Sequence, residues 1–384
     1  MKKTLVASTV TAGLMVLSFA TPAAADPTDV FPATLNGSGS DTTEVVMRAL
    51  DAQIGALGSW DIAGGPWDTN GIATGCSFTG RNAGSGAGRT SLVNSISNGD
   101  NCFQFARSSS KAITGSPGNQ PALPYSGTGT AVVPLLPITL AVDGLTYVFR
   151  KGSPTPRDLT IGQLRAIYNC ATAGVVDGRN FAGASIPREP LLPTDASGTR
   201  ADWLALMGLP NTLVAGNASG TSEVSRGGDG GSLPGCIDDG PGDTGQAGGE
   251  FSEHNGNVLT SPSQIIPHSI AQYVAQGRSA TGDFRGLAEL GYVNGNVPLQ
   301  MFDNPAGSLV PGTVTSSAVA DGAYFREVYN IVEAAKVNDP NITSVFGIRS
   351  GGSNATASDL PNPNSGSICN LDEIVVSAGF LPVC

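Results

Sequence analysis

Apolar residues along the chain follow two spacings, and each spacing predicts a type of secondary structure. A spacing near 3.6 residues predicts amphipathic helices, whereas short apolar and β-branched runs bounded by Gly, Pro or Asp predict strands. The predicted helices cover residues 42–54, 89–96, 159–168, 200–207 and 323–335, and residues 265–276 also follow a regular pattern. The predicted strands cover residues 31–35 and 102–106, a segment ending at 192, and two pieces of the apolar region 131–150. Strands alternating with helices indicate an α/β fold.

Three local signals refine this pattern. Asp41, with Glu44 three residues later, resembles a capping box and predicts a helix N-terminus. The pair Asp143-Gly144 predicts a short break between the two strands of the region 131–150, which we expect to cross between two lobes. Residues 216–256 are rich in Gly, Ser and Asp, and predict a long solvated loop.

Composition and charge bear on the number of domains and on the partners that the protein can bind. The chain has 384 residues, of which 40% are hydrophobic, and this predicts about two domains, each with a core. Its formal net charge is -11. We therefore expect no nucleic-acid partner, because nucleic acids and anionic membrane surfaces require clustered Lys and Arg.

Residues 1–25 have the pattern of a secretory signal. Lys2 and Lys3 precede an apolar run, and small residues ending at Ala25 form a cleavage site. The pattern predicts an exported protein, periplasmic or extracellular, that is cleaved near Ala25. An uncleaved membrane anchor is the alternative. No cysteine stands at the predicted cleavage site, so we expect no lipid anchor.

The chain has six cysteines, and an even number in an exported protein predicts disulfides. The order along the chain favours the pairs Cys76–Cys102, Cys170–Cys236 and Cys369–Cys384, although sequence does not fix connectivity. A metal site is the competing interpretation. It is disfavoured because the cysteines are far apart and only two histidines supply imidazole. We expect no metal and no cofactor.

A turn rich in Gly and Ser leads from a strand into a helix three times, at residues 37–42, 84–88 and 195–199. The first N–H groups of a helix lack internal partners and favour an anion placed before them. Glycine allows a close approach, and hydroxyls add donors. Three such loops in one cleft predict a site for a tetrahedral oxyanion, with Arg107 and Arg200 as candidate cations. Plain helix capping is the alternative for any single loop.

These loops resemble the ligand loops of the periplasmic phosphate-binding proteins, the solute receptors of phosphate ABC transporters. Residues 37–42 fit the family's first loop, and Ser85 falls on the ligand serine of the second. The third loop is Phe105-Ala106-Arg107-Ser108-Ser109, where the family has Asp at the position of Ser109. The fourth matches at three positions but has Pro193 in place of the family's arginine. The resemblance implies these ligand-binding residues: Asp41, Thr42, Ser85, Arg107, Ser108, Ser109, Ser197, Gly198, Thr199 and Arg200.

The two departures bear on selectivity. In the family, the Asp accepts a proton from protonated phosphate and repels fully ionised sulfate. Ser109 does not repel sulfate in that way, and Asp41 is the candidate to act as acceptor instead. Arg107 and Arg200 are the candidates to replace the missing arginine. The resemblance therefore implies oxyanion binding more directly than it implies selectivity for phosphate.

The resemblance also implies an architecture and a role. The type 2 periplasmic-binding-protein fold has two lobes, each a mixed sheet flanked by helices, joined by two crossing strands and closing on ligand. We expect the first lobe in residues 26–141 and 276–384, and the second in residues 142–275. The implied protein is a monomer without enzymatic activity that binds inorganic phosphate or a similar oxyanion and has an ABC permease as partner.

Two other functions stay open from sequence. One is a secreted binding module of the same fold that has no transporter. The other is an exported hydrolase, which would have to use His254 or His268 in a catalytic triad. The chain has no Gly-x-Ser-x-Gly motif, so the hydrolase is disfavoured.

Overall fold

The computed structural model describes residues 34–55, 57–61, 67–68, 76–78, 83–110, 123–124, 132–169, 175–176, 179–180, 189–193, 197–209, 224–226, 237–241, 251, 254–278, 283–295, 319–320, 323–346 and 371–382. Within these ranges, the strands in chain order are β1 (Leu35–Gly39), β2 (Leu57–Ser59), β3 (Trp67–Asp68), β4 (Ser77–Phe78), β5 (Phe105–Ser108), β6 (Leu123–Pro124), β7 (Val132–Val133), β8 (Leu135–Arg150), β9 (Asp158–Leu159), β10 (Val175–Val176), β11 (Arg179–Asn180), β12 (Glu189–Pro190), β13 (Val224–Arg226), β14 (Asp238–Pro241), β15 (Gln264–Ser269), β16 (Ala288–Leu290), β17 (Tyr292–Val293), β18 (Val319–Ala320), β19 (Ala323–Glu333) and β20 (Leu381–Pro382). The helices are α1 (Glu44–Asp51), α2 (Ser85–Asn98), α3 (Ile161–Tyr168), α4 (Gly198–Met207), α5 (Ile270–Arg278), α6 (Pro340–Phe346) and α7 (Asp372–Ser377), with short 3₁₀ turns at Gly256–Val258 and Ala334–Lys336.

A mixed sheet organises the chain and confirms the predicted α/β class. Its strand order is β12-β15-β8-β19-β5-β1-β2; in addition, β16 and β20 pair with β8, and β18 pairs with β19. The strands β1, β2 and β5 are mutually parallel, whereas β19 runs antiparallel to both β5 and β8. At the other side, β12 and β15 are parallel to each other, and β15 is antiparallel to β8.

The long strand β8 spans both sets of parallel strands. Its first part pairs with β19, and its last residues pair with β15 and β16. The predicted break at Asp143-Gly144 is wrong, because the strand continues through these residues and both are buried. Hydrogen bonding to β19 keeps Asp143 and Gly144 in an extended conformation. This dipeptide favours turns, but pairing with a neighbouring strand overrides local propensity. The lobe boundaries predicted at 141 and 275 stay predictions.

Strand β19 corrects the helix predicted at residues 323–335. The apolar residues Phe325, Val328, Ile331 and Val332 fit a helical spacing, yet they lie in a strand that pairs on both sides. Both faces of this strand are buried between Phe325 and Val332, apart from the half-buried Glu327. A strand covered on both faces has no clear alternation, so its period does not distinguish it from a helix.

Other boundaries also differ from the prediction. The first strand covers Leu35–Gly39 rather than residues 31–35, and the strand predicted at 102–106 covers Phe105–Ser108. Helix α1 begins at Glu44 with Thr43 as its N-cap and no capping side chain, so the predicted capping box of Asp41 is wrong. The segment 216–256, predicted as a loop, contains the paired strands β13 and β14.

Each set of parallel strands has its own apolar core. Helix α1 packs with β1, the first part of β8 and the C-terminal elements; α3 and α4 pack on the last part of β8 and on β15. Representative residues of the first core are Val46, Leu50, Phe105, Leu140, Val328 and Phe380. Representative residues of the second are Leu145, Phe149, Leu164, Tyr168, Trp203 and Ile265.

The predicted disulfide between Cys76 and Cys102 is confirmed. The other four cysteines and the signal segment lie outside the described residues. Within the part of the chain that the structure describes, no helix has the length and apolar character needed to cross a membrane.

Candidate functional site

Two sets of strand ends face each other across the middle of β8. Strand β5 ends at Ser108, which lies level with Thr139 of β8 through their common partner Tyr329. Strand β15 runs the opposite way and ends at Ser269, opposite Leu145. The carboxyl ends of both sets are therefore directed at the short stretch of β8 between these positions. Ligands of open α/β sheets bind beyond the carboxyl ends of the strands.

A pair of glycines allows the second glycine-rich loop to approach the first. Gly39 has φ +130°, and Gly84 donates its N–H to the carbonyl of Gly39 at 3.2 Å. A Cβ on Gly88 would lie 2.5 Å from the Cα of Gly39, so only glycine fits there. Helix α2 therefore starts directly against β1, and its first residue, Ser85, lies beside the end of that strand.

Three of the four predicted loops meet at a cluster of buried hydroxyls. Ser85 Oγ accepts a hydrogen bond from the backbone N of Ser109 at 3.0 Å and lies 3.3 Å from Ser109 Oγ. Gly198, the first residue of α4, packs onto both: a Cβ there would lie 2.4 Å from Ser109 Oγ and 2.6 Å from Ser85 Oγ. The N-terminus of α4 therefore points its positive dipole end at this cluster.

The remaining loop, the first of the four at residues 37–42, reaches the same place through Thr42. Its hydroxyl lies 3.4 Å from that of Thr199, although the two residues are 157 positions apart. Both side chains are fully buried. Ser197 is the N-cap residue that precedes α4. Its Oγ accepts a hydrogen bond from the backbone N of Arg200 at 3.0 Å.

Arg326 of β19 lies between Thr42 and Thr199. This cation was not predicted from the sequence. Its Nη2 donates to Thr199 Oγ1 at 2.6 Å and to Thr42 Oγ1 at 3.4 Å. The guanidinium also donates to Asp143 Oδ2 through Nε at 3.0 Å and through Nη2 at 2.9 Å, and its Nη1 lies 3.4 Å from Asp202 Oδ2. Arg326 thus joins the loop after β1, the start of α4 and the middle of β8.

Asp143 is the buried counterion of Arg326. Its Oδ1 accepts hydrogen bonds from Ser269 Oγ at 2.9 Å and from the backbone N of Ala271 at 3.2 Å. Burial raises the pKa of the Asp143 carboxyl, and the charge of Arg326 and these hydrogen bonds oppose the rise. Because both carboxylate oxygens have donors, Asp143 fixes its neighbours rather than presenting a vacant acceptor.

A second cation, Arg89 of α2, lies behind the hydroxyl cluster. Its Nη1 donates to Ser108 Oγ at 2.9 Å, and Ser108 Oγ donates to the carbonyl of Ser110 at 2.6 Å. Burial lowers the pKa of Arg89 to about 10, while the charge of Asp202 opposes this shift. Arg89 and Arg326 therefore both interact electrostatically with Asp202.

The two arginines proposed from sequence hold backbone carbonyls. Arg107 donates to the carbonyl of Ser40 at 3.0 Å and, through Nη1, to Ser59 Oγ at 2.8 Å and the carbonyl of Trp60 at 2.6 Å. Burial lowers its pKa, with Glu44 foremost among the carboxylates that oppose the shift. Arg200 donates to the carbonyl of Pro193 at 3.0 Å. The structure gives both side chains roles in shaping loops, and their contact with a ligand stays a prediction.

Asp41, the candidate proton acceptor, is directed toward a histidine. Its Oδ2 lies 3.5 Å from His254 Nδ1, and the His254 ring lies 6.1 Å from the ring of His268. His268 Nδ1 in turn lies 2.7 Å from the carbonyl oxygen of Ser269. The chain's two histidines are therefore buried together beside the first loop.

Sequence signals for the two missed cations differ. Arg89 lies four residues after Ser85 in a helix that begins at Ser85, so it shares a helix face with that serine and could have been identified. Arg326 is 284 positions from Thr42. Its position depends on the pairing of β19 with β8. Because residues 323–335 were predicted to form a helix, this pairing was not predicted.

The described residues form a set of donors suited to an oxyanion. Hydroxyls of Thr42, Ser85, Ser109 and Thr199 surround the N-terminus of α4, and Arg326 supplies a fixed charge. Guanidinium and hydroxyl donors match phosphate-like oxygens in geometry and charge. Among the described residues, no group of three or more His, Cys, Asp or Glu side chains is arranged to hold a metal ion.

A separate groove of about 420 Å³ lies at the amino ends of β1 and β5, and its lining includes none of these hydroxyl-bearing residues. Its lining includes Thr34, Phe103, Glu333 and Ile342. It lacks the convergence of loop hydroxyls and helix N-terminus that marks the site above.

No protein-family model matches the sequence, and no curated protein matches it either. Solved structures do match at low identity. A human phosphate-binding apolipoprotein is 14% identical, with 91% of each chain covered and a TM-score of 0.46. A high-affinity periplasmic phosphate-binding protein solved with bound phosphate is 15% identical, with 91% of this chain and 90% of that chain covered and a TM-score of 0.45. An ABC-type phosphate transport receptor from Vibrio cholerae is 14% identical, with 91% of this chain and 99% of that chain covered and a TM-score of 0.41.

Proposed function

We propose that this chain is an exported solute-binding protein that captures phosphate or a related tetrahedral oxyanion. The observation that carries the proposal is the position of Arg326, whose guanidinium contacts the hydroxyls of both Thr42 and Thr199. An anion held there would receive charge-assisted hydrogen bonds from the arginine and neutral ones from the hydroxyls. The protein would bind its ligand and perform no chemistry on it.

The negative net charge of the chain does not oppose this proposal. Surface charges more than about 8–10 Å away are screened at physiological ionic strength, whereas buried donors act at contact distance. The N-terminus of α4 and the guanidinium of Arg326, which is paired with Asp143, would therefore act on the anion as local hydrogen-bond donors.

We propose ligand-binding roles for Thr42, Ser85, Ser109 and Thr199, with Arg326 as the principal cation. The predicted contacts of Asp41, Ser108, Ser197 and Gly198 stay part of the proposal, as do those of Arg107 and Arg200. Closure about the paired strands β8 and β19 would bring the loops onto the ligand, which is the motion typical of hinged binding proteins.

Equilibrium dialysis against radiolabelled phosphate tests this function. We expect saturation at one phosphate per chain for the mature protein freed of ligand. Thr199→Val keeps the side-chain shape but removes the hydroxyl that Arg326 contacts, and it should weaken binding by about tenfold. Absence of saturable binding by phosphate and by sulfate would overturn the proposal.

Export and a permease partner form the cellular part of the proposal. The signal pattern at the N-terminus supports export, and cleavage near Ala25 would leave Asp26 as the first residue. Mass spectrometry of the protein recovered outside the cytoplasm tests this directly. An intact N-terminus carrying Lys2 and Lys3 would contradict cleavage.

A further inference from the structure

Gln272 of α5 binds the first glycine-rich loop, from which it is separated by about 230 residues. Its Nε2 donates to the carbonyl of Asp41 at 3.0 Å and also to the carbonyl of Thr42. The side chain is buried, with 1% of its surface exposed. A primary amide has two N–H donors, so these two carbonyls use both of them.

The position of Gln272 is set by the same carboxylate that holds Arg326. Asp143 accepts hydrogen bonds from Ser269 Oγ and from the backbone N of Ala271, at the start of α5. Ser269 Oγ in turn accepts a hydrogen bond from the backbone N of Gln272 at 3.1 Å. Helix α5 is therefore anchored on β8, next to the pair that Asp143 forms with Arg326.

Thr42 is consequently held from two directions. Gln272 binds its carbonyl, and its hydroxyl faces Thr199 and Arg326. We propose that Gln272 is a positioning residue for oxyanion binding: it fixes the loop of Asp41 and Thr42 so that the Thr42 hydroxyl points at the anion. This inference rests on the proposed function, since it assigns a role at the same site.

The same helix offers a matched control in Gln276, one turn later. Gln276 is also buried and also makes two side-chain hydrogen bonds, from Nε2 to the carbonyl of His254 at 2.9 Å and from the backbone N of Phe284 to Oε1 at 3.0 Å. Neither partner is one of the hydroxyl-bearing residues of the proposed site, and Gln276 binds the backbone carbonyl of His254 rather than the ring that faces Asp41. Replacing either glutamine by Met removes two hydrogen bonds and preserves length and shape.

The experiment compares phosphate binding by the full mature protein, Gln272→Met and Gln276→Met, together with their thermal unfolding. Buried carbonyls left without donors destabilise the loop, so Gln272→Met should weaken phosphate binding by about tenfold. Gln276→Met should keep affinity within about twofold while losing similar stability. Equal affinity losses in both variants, or unchanged affinity in Gln272→Met, would overturn the inference.

A double-mutant cycle separates positioning from general destabilisation. If Gln272 acts through Thr42, adding Gln272→Met to Thr42→Val should cost less affinity than adding it to the wild type. Fully additive losses would overturn the inference. Gln272→Ala serves as a second variant if the Met variant does not fold, with the same expected loss. Failure of the wild type to bind either phosphate or sulfate would instead overturn the proposed function, and this inference with it.

Discussion

Arg326 and Asp143 lie directly opposite each other on the neighbouring strands β19 and β8, joined by two contacts of 3.0 and 2.9 Å to one carboxylate oxygen. Both side chains are almost completely buried. Removing a buried charge from water is costly unless it is paired, so each of these residues requires the other. The pair also lies where the carboxyl ends of two sets of strands face each other, which places a fixed guanidinium donor at the centre of the candidate site.

Arg326→Lys should therefore weaken oxyanion binding by about tenfold or more. Lysine keeps the charge but lacks the planar fork that reaches Asp143, Thr42 and Thr199 together. Isothermal titration with phosphate measures the loss. Arg150→Lys is the control, because Arg150 lies on the neighbouring strand β8 and donates to the carbonyl of Leu259 rather than to the hydroxyls of the candidate site. Wild-type affinity in Arg326→Lys would contradict the assignment.

Gly198→Ala should disturb the contact between α4 and the hydroxyl cluster. The added Cβ would meet Ser109 Oγ and Ser85 Oγ at distances well below van der Waals contact. We expect the free energy of unfolding to fall by about 1–3 kcal/mol, with weaker phosphate binding. Gly55→Ala is the matched control, since nothing lies within 4 Å of its Cβ position. Equal behaviour of the two variants in denaturation and titration would argue against close packing at Gly198.

Ser197 has a capping role that two substitutions separate from ligand contact. Ser197→Ala removes the N-cap of α4 and should lower the free energy of unfolding by about 1 kcal/mol, whereas Ser197→Gly should cost only a few tenths. If the hydroxyl also binds the anion, both variants should lose about 1–3 kcal/mol of binding free energy. Unchanged affinity in both would leave Ser197 as a cap alone.

The disulfide between Cys76 and Cys102 should stabilise the fold without affecting the site. It closes a loop with a sequence separation of 26 and packs against Leu92 and Val93 in an apolar cluster. Replacing both cysteines by Ala should lower the free energy of unfolding by roughly 3 kcal/mol. Phosphate affinity of the folded variant should stay within about twofold of wild type. A large loss of affinity would show that the disulfide is coupled to the site.

Local features of the site were accessible from sequence because they depend on short-range chemistry. The glycine-rich turns that contain Thr42 and Ser85, and the start of α4 just after Ser197, follow from residues within one turn. Ser109 was implied only by the resemblance to the phosphate-binding family. The α/β class followed from the alternation of periods. The pairing of Cys76 with Cys102 followed from order along the chain.

Non-local features were not accessible in this way. Arg326 enters the site only because β19 pairs with β8, and the apolar spacing of that strand fitted a helix equally well. The contact from Gln272 to Thr42 likewise depends on where β15 ends beside β8. Such contacts join distant parts of the chain, so no local pattern encodes them.

Calorimetric titration of the mature protein, freed of ligand, with phosphate and then with sulfate across pH 5 to 8 tests whether the chain binds an oxyanion at this site. We expect saturable heat with a stoichiometry of one oxyanion per chain for phosphate, and its loss or marked weakening in Arg326→Lys. Binding of sulfate as well would define the site as a general oxyanion receptor, consistent with Ser109 at the position of the family's Asp. Absence of heat from both anions would contradict oxyanion binding by this chain.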